Sequence, residues 1–73
     1  MRNASTDIVN MKLLRRIASE YLEMPGLALS IQQAERLWGL EHAIAVSAMN
    51  ALVLEGFLRV TSTGVFVRAG SER

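Results

Sequence analysis

Residues 30–68 read SIQQAERLWGLEHAIAVSAMNALVLEGFLRVTSTGVFVR, and the order of signals in this stretch decides the fold. Ser30 opens a capping box: Gln33 stands three residues later, so its side chain can reach back to the Ser30 amide while the Ser30 hydroxyl takes the Gln33 amide. A short second helix follows. Ile31, Ala34, Leu37 and Trp38 form its predicted buried side and Gln32, Glu35 and Arg36 its wet side, and Gly39 supplies the left-handed residue that ends it. Leu40 is expected to tuck under the turn. A third helix is predicted from His42 to Glu55, packed through Ala45, Ala48, Met49 and Leu52 and closed by Gly56. Phe57–Thr61 and Val65–Arg68 are rich in β-branched and aromatic residues and flank Ser62, Thr63 and Gly64, which is hairpin chemistry. Two registers fit. A two-residue Thr63-Gly64 turn sets Arg59 opposite Arg68, a like-charge pair that favours an anion over both, whereas a four-residue loop pairs Val60 with Val65.

Upstream, Ser5, Thr6 and Asp7 offer N-caps to a first helix in which Ile8, Met11, Leu14, Ala18, Tyr21 and Leu22 recur at helical spacing, with Leu13 and Ile17 widening the stripe. Lys12, Arg15, Arg16, Ser19, Glu20 and Glu23 occupy its other face. Pro25 forbids continuation and Gly26 supplies a turn. Leu27 and Leu29 point the same way across Ala28 and make at most a short edge strand. The predicted organisation is a disordered tail over residues 1–6, one domain over 7–69 and a disordered tail over 70–73. The fold class is mainly α with a small β hairpin (α+β): three helices, then a two- or three-stranded antiparallel wing.

Composition limits what this domain can be. Its 73 residues allow one modest core, and the usual staples of small domains are absent: there is no Cys, and His42 is the single histidine, so neither a disulfide framework nor a zinc site is expected. Stability must come from apolar packing. The chain is 51% hydrophobic, rich for a domain whose size forces much of its surface into water, and this excess points to self-association. Its most apolar stretch, Ala43–Leu54, is interrupted by Ser47 and Asn50 and too short to span a bilayer, so a soluble cytoplasmic protein is expected. The net charge of +1 does not by itself argue for nucleic acid, so any such case rests on where the charges sit.

With these elements in place, the chain resembles the winged helix-turn-helix family, specifically its small bacterial one-domain members. The resemblance rests on Ala34, Trp38, Gly39 and Leu40 at the end of the second helix and the turn, and on Ala45, Ala48 and Leu52 along the packed face of the third. Gly56, Phe57 and Leu58 lead into the wing, and the Pro25-Gly26-Leu27 approach and the Gly64 hairpin extend the match to about Asp7–Arg68. What the resemblance implies is duplex-DNA binding by a small transcriptional regulator, with helix 42–55 in the major groove and wing 57–68 on the backbone. By position the groove-facing residues are Glu41, His42, Ala43, Val46, Ser47 and Asn50. The chain also departs from the pattern. Four residues before the turn glycine the family generally keeps a small residue, and here that position is Glu35. Between Arg36 and Arg59 there is no Lys or Arg, and this gap spans the whole presumed reading helix.

Each candidate residue has a plain structural reading beside the functional one. Asn50 suits a bidentate contact to adenine and Ser47 a base or phosphate, yet either can simply be solvated. His42 beside Glu41 reads as phosphate contact or surface residue. Arg36, Arg59 and Arg68 suit a phosphate backbone, with Lys12, Arg15 and Arg16 less so because Glu20 and Glu23 share their surface. Phe66 and Trp38 read as core before they read as ligand contacts. Ile44, Val46, Val53 and Leu54 lie off the inner stripe and make the third helix apolar nearly all round, and such a helix calls for a second surface. That surface is a homodimer or another protein, with Ile44, Val46 and Leu54 as its interface. No nucleophile with its base, glycine-rich phosphate loop, cofactor motif or metal set is apparent, so no enzymatic activity is expected.

Overall fold

The computed structural model describes residues 4–70, with side chains from residue 11 onward. Three helices, α1 (Ala4–Glu23), α2 (Ile31–Trp38) and α3 (His42–Leu54), precede two short strands, β1 (Leu58–Val60) and β2 (Phe66–Arg68), paired antiparallel. This is an α+β layout of helices followed by a hairpin. α1 starts at Ala4, so Ser5, Thr6 and Asp7 lie in its first turn instead of ahead of it as caps, and residues 4–6 are helical where a tail was expected. The outermost parts of both predicted tails fall outside the described residues.

Local signals set the turns. At Ser30 both halves of the capping box form: the Gln33 amide donates to Ser30 Oγ at 3.2 Å and the Ser30 amide to Gln33 Oε1 at 2.9 Å. Gly39 sits at φ 63°, and the amides of Gly39 and Leu40 both donate to the Glu35 carbonyl, ending α2. The chain then needs only Leu40 and Glu41 before α3 departs at 111° to α2. Gly56, at φ 82°, closes α3 in the same manner, with the Phe57 amide bonded to the Leu52 carbonyl at 3.0 Å.

The core gathers one face of every element: Ile17 and Tyr21 from α1, Ala34 and Trp38 from α2, Ala45, Ala48, Met49 and Leu52 from α3, and Leu29, Leu58 and Phe66 from the extended segments. The inner face predicted for α3 is the observed one. The predicted face of α2 is corrected in one residue: Leu37 is 51% exposed, because the large ring of Trp38 and the small Ala34 rotate the helix toward Ile31 and Glu35. Among the described side chains of α1, Ile17 and Tyr21 are buried and Leu13 and Leu14 half-buried against the core, whereas Met11 and Leu22, expected on this stripe, lie outside it; Ile8, also expected there, falls outside the described side chains.

The hairpin takes neither expected register. Arg59 pairs with Val67, Leu58 with Arg68 and Val60 with Phe66. The loop is three residues long, with Gly64 at φ 81° and the Thr61 amide bonded to the Val65 carbonyl at 2.8 Å, the geometry that accepts a left-handed glycine in its last position. Thr61 Oγ1 reinforces it by accepting from the Val65 amide at 3.2 Å. Directly opposite residues share a sheet face and neighbours alternate, so Arg59 and Arg68 project to opposite faces. The single anion over both is thereby ruled out.

Leu27 and Leu29 contribute one bridge, not a full strand. The Leu29 amide donates to the Phe66 carbonyl at 3.2 Å and the Phe66 amide to the Leu29 carbonyl at 2.7 Å. Tyr21 completes the junction: its buried hydroxyl donates to the same Phe66 carbonyl at 2.8 Å. Desolvation pushes the Tyr21 phenol up from 10.0 to about 12.

Two predictions follow from these bonds. Tyr21→Phe should cost about 1 kcal/mol in denaturant unfolding, since the Phe66 carbonyl keeps its backbone donor. Because burial raises the folded pKa above the unfolded one, the wild type holds its stability below pH 10 and loses on the order of 2–3 kcal/mol, the linkage cost of the buried phenol, as pH rises through about 12; Tyr21→Phe should lack that alkaline loss. At Gly39 a Cβ would meet nothing within 4 Å, so the cost of Gly39→Ala, about 1 kcal/mol, should arise from the left-handed backbone alone, and Gly39→Asn should recover part of it.

Candidate nucleic-acid interface

The face of α3 turned away from the core is built by elimination. Ala45, Ala48, Met49 and Leu52 are committed inward, which leaves Ala43, Ser47, Asn50 and Leu54 along the outside, all exposed. Ser47 and Asn50, three residues apart, therefore share one outward stripe as predicted. Small or apolar residues surround them. Leu54 is 88% exposed and Ile44 41%, in keeping with the predicted apolar outer surface, whereas Val46 is half-buried and Val53 packs against the core, so the interface expected at Ile44, Val46 and Leu54 is narrower than the sequence suggests.

His42 is exposed at the start of α3, and its Nδ1 lies 2.7 Å from Glu35 Oε2 on α2. The pair spans the turn and accounts for Glu35 where a small residue was expected: the carboxylate sits beside the histidine instead of separating the helices. It also places a carboxylate next to the imidazole at the start of α3. Glu41 adds another carboxylate at the N-cap of α3, where its side chain makes no capping bond. The positive end of the α3 dipole thus has acidic neighbours, which weakens it as a phosphate site.

The basic residues are dispersed. Arg36 is exposed in the last turn of α2, Arg59 is exposed on the outer face of β1, and Arg68 is half-buried on the other face of the hairpin, its guanidinium carbon 4.4 Å from the centroid of the Phe57 ring. That cation–π contact ties Arg68 to the fold. Phe66, whose alternation with Arg68 allowed a ligand-facing role, is buried in the core. Among the described residues no three His, Cys, Asp or Glu side chains converge as a metal site, and no single helix is long and apolar enough to cross a membrane.

No family model, curated protein or solved structure matches this chain. Its geometry must therefore speak alone. Two features escaped the sequence reading. One is an open cleft of about 150 Å³ between α1 and α3, lined by Leu14, Ser47, Ala48 and Ala51. The other is the exposure of Met11 and Leu22 on α1. A signal for both was present, since α1 has more apolar positions than one helical stripe can hold.

The two faces of α3 are separable by mutation. Leu54→Ser should change the unfolding free energy by no more than about 0.5 kcal/mol, whereas Leu52→Ala, two residues earlier and buried, should cost about 2–5 kcal/mol. Chemical denaturation of both variants checks the assignment.

Proposed function

We propose that this chain is a small duplex-DNA-binding protein of the winged helix-turn-helix kind, acting as a transcriptional regulator, with α3 in the major groove and the hairpin on the backbone. The observation that carries this reading is the turn from Gly39 to Glu41, which swings α3 through 111° from α2 and leaves the Ser47–Asn50 stripe outward. Angles of this size across a three- or four-residue glycine turn typify helix-turn-helix units. In this reading Asn50 reads an adenine edge and Ser47 a base or phosphate, while the small Ala43 lets α3 approach closely and favours a thymine methyl. Arg36 and Arg59, with Arg68, supply phosphate contacts, and His42 assists only where it outweighs Glu35.

A second reading is favoured by the exposure of Leu54 and Ile44: a protein-binding module that uses the apolar outer face of α3. Titration of labelled duplex DNA across a salt series separates the two. Three phosphate contacts predict a slope of log K against log salt of about −3, with non-specific dissociation constants in the range of about 10⁻⁴ to 10⁻⁶ M. Arg59→Ala should reduce the slope by about 1 on every sequence, whereas Asn50→Ala should cost about 1–3 kcal/mol on the preferred site and little on random duplex. Absence of binding at low salt would refute the DNA reading and leave the protein-binding one.

A further inference from the structure

We propose that the side of α1 left outside the core is a self-association surface, occupied by α1 of a second copy laid antiparallel across it about a twofold axis near Ala18. α1 carries two apolar stripes. One, from Leu13 to Tyr21, is spent on the core. The other is Met11, Ala18 and Leu22, at spacings of i, i+7 and i+11 that repeat on one side of a helix. Met11 is 54% and Leu22 60% exposed, and Ala18 between them is half-buried. A helix serving only its own domain needs only the first stripe.

Charge selects the occupant. Along the solvent edge of the second stripe run Lys12, Arg15, Ser19 and Glu23, basic toward the N-terminus and acidic at the other end. A parallel copy would set like charges side by side. An antiparallel copy centred near Ala18 sets Lys12 and Arg15 against Glu23 of the second chain, twice over by symmetry, which is the self-complementarity a twofold contact requires. The same register brings Leu22 of each copy opposite Leu14 of the other, at the mouth of the cleft between α1 and α3. That cleft, about 150 Å³ and lined also by Ser47, Ala48 and Ala51, receives the leucine side chain, which then covers Ser47 and leaves Asn50 as the exposed polar residue of the outer stripe. Ala18 meets its own copy on the axis, and its small side chain lets the helices come close. The surface lies on α1, so the inference does not rest on DNA binding.

The chain has no Cys, so Ala18→Cys introduces one thiol per copy, next to its symmetry mate. Mild oxidation should convert this variant to a disulfide-linked dimer, while Ser62→Cys in the exposed hairpin loop should stay largely monomeric on the same gel. In sedimentation equilibrium the wild type should show twice the chain mass at micromolar concentration. Leu22→Glu should raise the dissociation constant at least about tenfold, with an unchanged circular-dichroism melt of the monomer because Leu22 is outside the core. Lys12→Glu should also weaken the dimer, and adding Glu23→Lys should restore it. A monomeric wild type, a dimer indifferent to Leu22→Glu, or failure of Ala18→Cys to cross-link would each overturn the proposal, the second by assigning the dimer to another face.

Discussion

The arrangement of this small domain depends on one carbonyl, that of Phe66. It accepts from the Leu29 amide and from the Tyr21 hydroxyl at once, so both its lone pairs are used inside the protein. The last turn of α1 and the approach to α2 meet there with β2, some forty residues further along the chain. A two-stranded hairpin is marginal alone and requires packing to persist. Here the packing comes from Leu58 and Phe66 beneath it, and its register is held from outside by Leu29 and Tyr21. Among the described side chains of α1, the Tyr21 hydroxyl is the polar group committed to the core, and it is matched. With no cysteine to form a disulfide, such a junction fixes geometry that apolar contacts, being non-directional, leave free.

What could be read from the sequence was what is decided locally. Ser30 with Gln33, and glycines at 39, 56 and 64, specify turns through bonds and dihedrals spanning only a few residues, and all formed as their chemistry requires. The inner face of α3 was also legible, because Ala45, Ala48, Met49 and Leu52 recur at i, i+3, i+4 and i+7 even though the helix is apolar nearly all round. The rotation of α2 was not. Leu37 and Glu35 lie on either side of the Ala34–Trp38 line, and which of them faces water depends on how the indole packs against other elements and on His42 seven residues later. The choice between two stripes on α1 was hidden for the same reason, since periodicity counts apolar residues without saying which partner each faces.

The hairpin register is a different case, because its signal was local. Ser62-Thr63-Gly64 fits a three-residue loop with glycine at its left-handed end, and Thr61 is placed to cap the Val65 amide. Considering only loops of two or four residues put Arg59 opposite either Arg68 or no arginine at all. The actual register separates the two arginines onto opposite faces and turns a supposed anion site into two unrelated positions, one of them stacked on Phe57. A shift of one residue in a strand pairing exchanges faces, so a small error in loop length becomes a large one in the candidate site.

The weakness of the candidate interface and the excess of apolar surface have a common physical sense. A single copy offers three dispersed arginines and a reading stripe of Ser47 and Asn50 bounded by Ala43 and Leu54, with carboxylates near the start of α3. Under the DNA-binding proposal, one such unit gathers little affinity, since the counterion term scales with the number of phosphates neutralised. Pairing two units doubles that number and makes the second engagement intramolecular, so the effective concentration of the linked unit multiplies two weak contacts without any new one. Under the protein-binding alternative, the same pairing leaves Ile44 and Leu54 of α3 to a partner and removes Leu22 from water. In either case α1 is where the domain compensates for a core too small to take up all its apolar residues. The charge gradient from Lys12 to Glu23 gives that compensation a direction, because it distinguishes an antiparallel twin from indiscriminate association.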